Sequence, residues 1–225
     1  TLTIAPETGS NRLRRVLNKG FENAHILRFV EMLKNYKIKT LKLYFMLGLP
    51  TESEEDVWEI YNLVNEIRKI NKSIELSISI SIFVPKPHTP FQWEEMKKEE
   101  YIIEKQRWLY RKIKEIKNTK IEMEDYFWSF WQGIFSRGDR RLNILWREIY
   151  ESGEISSGFL KRILKKNKEF FENYLRARAK SEIFPWEVVD NRVSREYLWD
   201  ERERAYKGEI TGPCSKNCKI CGVCL

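Results

Sequence analysis

The residue types best suited to holding a metal are gathered at one end of the chain. All four cysteines, Cys214, Cys218, Cys221 and Cys224, fall within the last 12 of 225 residues. Thiolates ligate both structural zinc and iron–sulfur clusters, and four of them at this close spacing suit a closed, four-coordinate site. Either an auxiliary iron–sulfur cluster or zinc fits the run; free thiols or a redox disulfide are the other readings. Nothing cross-links the preceding 213 residues, so this is not a disulfide scaffold, and a reducing cytoplasm is the natural compartment.

A second set of candidates sits in three short motifs, A-P-E-T-G-S (5–10), L-G-L-P-T-E (47–52) and V-P-K-P-H-T-P (84–90). Each follows a predicted strand, and α/β proteins bind ligands at the carboxyl ends of their strands. Gly9 and Gly48 permit close backbone approach, and the prolines stiffen loops whose carbonyls can accept hydrogen bonds from a flat ligand. Glu7 offers a carboxylate for ribose hydroxyls. Arg12, in a first helical turn, can pair with a carboxylate or phosphate. Ordinary loop chemistry accounts for the same residues without any ligand.

These motifs must be held by the elements around them. Residues 1–5, Thr40–Leu47 and residues 74–84 read as strands. Ser10 and Asn23 read as N-caps for helices over residues 11–18 and 24–35, and Ser53 caps a third helix with Glu54, Glu55 and Asp56 in its first turn. A long helix is expected over residues 97–116. Strands alternating with helices mean βαβ units and a parallel sheet. Alternation puts Ile74, Leu76, Ile78, Ile80 and Ile82 on one face, against helices. Ser77, Ser79 and Ser81 then face a cavity, together with Thr3, Ala5, Glu7, Tyr44 and Met46. Beyond residue 118 the chain is aromatic and then helical, with helices predicted over residues 140–151, 158–165, 169–178 and 194–207. The predicted division is 1–118 for the strand-bearing part, 119–208 for a helical extension and 209–225 for the cysteine tail.

Hydrophobic residues at 42% and aromatics at 13% are enough for a sizeable core and exclude a disordered chain. No apolar run approaches the length of a membrane span, so no membrane partner is expected. The net charge of +8 is concentrated in residues 161–180, with eight Lys and Arg against two Glu. A solvated helix face explains that run, and an RNA contact is the functional alternative. Abundant Lys, Glu and Ile also fit heat adaptation.

The segment T-I-A-P-E-T-G-S-N-R-L-R-R-V-L-N-K-G resembles the Q/E-S-G-S-x-R segment of radical S-adenosylmethionine (radical SAM) enzymes, including methylthiotransferases. The stretches K-L-Y-F-M-L-G-L-P-T-E-S-E-E-D and F-V-P-K-P-H-T-P-F resemble that family's next two strand-end motifs, in the family's order over residues 1–92. The likeness extends to a bacterial group that often carries an N-terminal cobalamin-binding-like domain, through G-D-R-R-L (138–142), Pro185-Trp186, L-W-x-E-R-E-R-A (198–205) and the terminal cysteines.

The resemblance implies an α/β fold: the C-terminal half, about three parallel strands with helices, of a partial TIM-like (β/α)6 barrel, followed by a mainly helical extension. It implies S-adenosylmethionine as ligand, held by Glu7, Ser10, Arg12, Gly48, Leu49 and Val84, with backbone around Gly48 and Val84 at the adenine. His88 stands where methylthiotransferases usually have glycine. The family's catalytic [4Fe–4S] cluster is held by C-x3-C-x2-C after the first strand, and no cysteine precedes Cys214 here. The tail repeats that spacing but follows a helix, and its fourth thiolate would close the iron that must stay open. The expectation is therefore a cytoplasmic enzyme fragment whose cluster ligands, and any cobalamin, belong to a missing N-terminal half, and which alone makes no radical. The alternative is an RNA- or partner-binding module using the basic extension and the tail.

Overall fold

Strict alternation makes β3 (Glu75–Ile82) a strand with two unlike faces. Leu76, Ile78, Ile80 and Ile82 are buried, while Ser77, Ser79 and Ser81 stay half-exposed. It pairs in parallel with β2 (Thr40–Leu47) over the full length, Thr40 opposite Glu75 and Leu47 opposite Ile82. In a parallel pair residues in register share a face, so Leu41, Leu43, Phe45 and Leu47 join the same buried layer. β1 (Leu2–Glu7) lies on the other side of β2, also parallel.

The sheet runs one strand further than three. β4 (Thr119–Met123) pairs in parallel with β3, giving the order β1-β2-β3-β4. Its T-K-I-E-M sequence alternates, but as an edge strand with charged Lys120 and Glu122 it carries too little apolar signal to stand out beside the helix before it. The sheet is open, as four strands require. The structure, a computed structural model, describes residues 1–215, 218 and 220–223; the expectation placed on Cys224 lies outside the described residues.

One face of the sheet is covered by α2 (Asn23–Met32), α3 (Glu54–Ile70) and α4 (Glu99–Lys114), which pack side by side. Their stripes, including Ile26 and Val30, Val57, Ile60, Val64 and Ile67, and Ile102, Leu109 and Ile113, meet the strand layer in one core. Each such side chain contributes roughly 1.5–3 kcal/mol by leaving water. Ser53 caps α3 and Asp56 returns the bond, a capping box. Ser10 caps the short α1 (Asn11–Val16) as expected, whereas Glu22, not Asn23, caps α2, with His25 closing its box.

Among the described residues no helix covers the opposite face. Thr3, Lys42, Ser77 and Lys120 form one row across it, and Tyr44, Ser79 and Glu122 the next. All seven are half-exposed or exposed.

The extension is helical: α5 (Tyr126–Arg137), α6 (Asn143–Ser152), α7 (Ser157–Lys166), α8 (Lys168–Glu172) and α9 (Arg195–Lys207). The aromatic run divides on α5, with Phe130 and Trp131 in the core and Trp128 and Phe135 exposed. α9 is closed by Gly208 at φ 68° and packs on α1 and on the 3-10 turn Pro90–Trp93. No helix among the described residues is long and apolar enough to cross a membrane.

Candidate functional site

Parallel order fixes where the three motifs lie. β1, β2 and β3 are neighbours running the same way, so the loops beginning at Glu7, Gly48 and Phe83 emerge at one edge of the sheet. Three residues there, Glu7 (φ 65°), Thr51 (φ 64°) and His88 (φ 56°), hold left-handed backbone without being glycine. Side chains other than Asn, Asp and His rarely adopt it, and a β-branched threonine least of all. Such strain collects at sites where function over-determines the backbone.

Glu7 departs from simple alternation. Ile4 is opposite Leu43 but Glu7 is opposite Phe45, so β1 carries one extra residue at a bulge. Counting from Thr3 and Ala5 therefore does not carry an inward orientation through to Glu7, because a bulge shifts the parity of everything beyond it. Its carboxylate is ion-paired with Lys19 at 3.1 Å.

Ser10 is buried and occupied: its hydroxyl accepts from Leu13 N–H and bonds Asp56. Arg12 reaches across to the next loop, donating to the Asp56 carboxylate and to the Thr51 carbonyl at 2.8 Å. Burial pushes the Asp56 carboxyl up, but hydrogen bonds from Arg12, Ser10 and Ser53 outweigh it and hold it below the usual carboxylate value. Ser10 and Arg12 thus join two rim loops.

Gly48 holds φ 81°, and its N–H donates to Glu52 Oε1 at 2.9 Å while Leu49 N–H reaches Oε2 at 3.4 Å. The backbone donors of this turn are committed to Glu52. Val84 is buried in the main core, and Phe83 sits with Leu13, Val16, Leu49 and Ala205 in a second cluster under α9. Glu7, Ser10, Arg12, Gly48, Leu49 and Val84 therefore lie at the same end of the sheet, with Ser10, Leu49 and Val84 buried.

Sequence reasoning missed four residues of that rim. Arg14, beside Arg12 on α1, is fully buried. It donates to the Pro6 and Thr8 carbonyls at 3.2 and 2.7 Å and to Asn11 and Asn23 at 2.7 and 2.8 Å. Glu124 follows the unrecognised β4 and accepts from Ile82 N–H at 3.0 Å. Burial lowers the pKa of Lys86 in the third loop, with Glu124 opposing. Glu52, the fourth, also accepts from the Tyr101 hydroxyl at 2.9 Å.

Burial raises the Glu52 carboxyl from 4.5 to about 7, although the Gly48, Tyr101 and Leu49 donors favour its ionised form. Both protonation states are thus accessible at neutral pH. Between about pH 4.5 and 7 the folded state keeps a proton that the unfolded chain has released, so stability falls as pH rises through that window. The loss is roughly 2–3 kcal/mol. Glu52→Gln is expected to flatten the slope, read as urea midpoints at the two ends of the window; equal slopes in both proteins would refute the assignment.

α9 roofs this rim. Arg202 and Tyr206 both hold Glu94, at 2.6 and 2.7 Å, and Ala205 packs on Leu49 and Phe83. The tail returns alongside: Thr211 bonds Glu201 and Asn18, and Ser194 N–H donates to the Cys221 carbonyl at 2.8 Å. Cys214 is exposed, and Cys218 and Cys221 are half-buried. Among the described residues no group of three or more His, Cys, Asp or Glu side chains is arranged to hold a metal ion.

Comparison with known proteins matches the same segment. Residues 1–64, from β1 into α3, fit the model of the Radical SAM superfamily. The chain is 36% identical over 148 residues to an uncharacterized protein of Methanocaldococcus jannaschii, covering 64% of this chain and 31% of that protein. It is 32% identical over 66 residues to a tRNA-2-methylthio-N(6)-dimethylallyladenosine synthase of Desulforamulus reducens, 29% of this chain and 14% of that enzyme. The chain thus spans less than a third of either relative, and no solved structure matches it significantly. A parallel sheet with its motif loops on one strained rim, and a family model that matches through the first two of those loops, lead to one assignment: residues 1–64 of the chain are a radical SAM superfamily segment.

Proposed function

We propose that this chain acts as the C-terminal part of a longer radical SAM enzyme and supplies half of its S-adenosylmethionine pocket. The observation that carries this reading is the common rim of Glu7, Gly48 and Val84 above a sheet face lined by serines. The rim fits S-adenosylmethionine in chemistry: a carboxylate for ribose, strained loops at the strand ends, and a polar face of small side chains beneath. It does not fit the catalytic cluster, because no cysteine precedes Cys214. In this reading the cluster ligands lie in a part of the enzyme outside these 225 residues.

A [4Fe–4S] cluster with one open iron supplies the electron that cleaves S-adenosylmethionine to methionine and the 5′-deoxyadenosyl radical. This chain's part is to bind and orient the nucleoside, with Glu7 toward the ribose and the turn at Gly48 and Leu49 against the adenine. α9 excludes water from above. The tail cysteines Cys214, Cys218, Cys221 and Cys224 are proposed to hold an auxiliary cluster or zinc, which metal analysis of the purified chain tests. Cobalamin in the full-length enzyme is tested by its visible absorbance.

The full-length protein, reconstituted with iron and sulfide and reduced, is expected to release 5′-deoxyadenosine, and Gly48→Ala to weaken S-adenosylmethionine binding about tenfold. Absence of both binding and cleavage would overturn the proposal.

A second reading has its own support. Trp146 and Tyr150, one turn apart on α6, are exposed with Arg147 between them, and Trp146 stacks on exposed Phe135 at 5.4 Å. Exposed rings beside basic side chains can stack RNA bases. A tRNA gel shift that weakens with salt is expected if the extension binds RNA; no shift at low salt removes this reading.

A further inference from the structure

Away from the rim, a cavity of about 350 Å3 opens in the seam where the start of α4 meets α5, α7 and α8. That volume lies within the range of small-molecule sites. Its floor is apolar: Tyr126 and Phe130 from α5, with Met96, Leu164 and Leu175 around them. Tyr126, Phe130, Met96 and Leu175 are all buried, so the floor belongs to the core and is set before any ligand arrives.

The mouth is charged, and among the lining residues the sign that remains after pairing is negative. Arg176 is held by both oxygens of Glu182 at 2.8 and 2.7 Å, and Lys168 lies 3.5 Å from Glu172. Among the residues that line the cavity Glu99 and Glu100 have no ion-pair partner, against Lys98; Lys161, outside the lining, is a second lysine without one. The same carboxylates are felt below. Burial raises the Tyr126 hydroxyl pKa, and Glu99, Glu172 and Glu100 raise it further. Phe127, on the wall, already has an ammonium over its ring, that of Lys161 at 5.4 Å from the centroid. On a protein of net charge +8, a locally negative mouth over aromatic rings is a selective environment for a cation.

We propose that this cavity is a binding site for a small amphipathic amine, its apolar body on Tyr126 and Phe130 and its ammonium between Glu99 and Glu100. The site shares no residue with the rim, so it stands or falls apart from the S-adenosylmethionine reading.

The test is a set of three calorimetric titrations of this chain with probes of nearly one shape: 2-phenylethylamine, 2-phenylethanol and 3-phenylpropanoate. The amine is expected to bind about tenfold more tightly than the carboxylate, with the alcohol between them. The double variant Glu99→Gln, Glu100→Gln changes only exposed side chains. It is expected to weaken the amine about fivefold and leave the alcohol unchanged. Phe127→Ala should weaken all three alike. Carboxylate binding equal to amine binding would overturn the proposal, as would an amine that does not bind or whose affinity ignores the glutamates.

Discussion

Replacing Gly9 with alanine is expected to lower the melting temperature of this chain by about 10 °C. An added Cβ at Gly9 would lie 2.0 Å from the Glu59 carbonyl carbon and 2.2 Å from the Ile60 nitrogen. Both atoms belong to the backbone of α3, which cannot swing aside as a side chain can. Either α3 lifts off the rim loop or the loop abandons its path, and each loses packing from Val57, Ile60 and Val64 against the sheet. Overpacking against fixed backbone costs about 3 kcal/mol or more, which at this chain length is about 10 °C. Gly20→Ala is the control, because nothing lies within 4 Å of a Cβ there; it should stay within about 0.5 kcal/mol. Thermal melts of the two variants by circular dichroism decide the matter. Equal melting temperatures would mean that the close approach of loop and helix is wrong.

Arg14→Met is expected to be comparably damaging, and through a different cause. The guanidinium donates to two carbonyls and two asparagine oxygens, tying residues 6–8 to the starts of α1 and α2. It also lies over the Phe21 ring at 5.2 Å. Burial lowers its pKa to about 10, so it stays charged at neutral pH. Methionine fills much of the volume but leaves those acceptors without their donor, and stranded buried acceptors cost about 1–3 kcal/mol each. Since the loop can relax toward water, about 3–5 kcal/mol in all is expected in urea unfolding. Arg14→Lys should recover only a small part, because an ammonium cannot present a planar fork to acceptors on three sides. Amide exchange adds a readout that simple loss of packing would not give: Thr8 through Asn11 should lose protection before α3 does. Uniform loss across the chain would assign Arg14 to general stability and leave the rim loop held by something else.

The two residues were legible to different degrees. Gly9 was readable as a place of close approach, because only glycine permits it, yet sequence could not say that the approaching group is the α3 backbone. Arg14 gave no signal: in N-R-L-R-R-V it looks like its neighbours Arg12 and Arg15, and its burial exists only once the 5–10 loop wraps over it. The same limit explains β4 and Glu7. β4 is a strand because β3 offers it a free edge, which is a property of the partner. Glu7 loses its parity to one extra backbone residue, which local propensity does not encode.

What the sequence determined by itself is the periodic part of the molecule. The alternation of β2 and β3, the caps of α1 and α3, and the order of the three strand-end motifs dictate a parallel sheet with its loops on one rim. Local geometry makes those patterns self-contained, since a period of two or of 3.6 assigns a face without reference to anything distant. Tertiary structure alone decided which atoms fill the rim. It gave Arg12 to Asp56 and Thr51, and the space above the rim to α9. The Arg12 bonds join residues 39 and 44 apart, which depends on how separate elements pack, and no spacing along the chain carries that information.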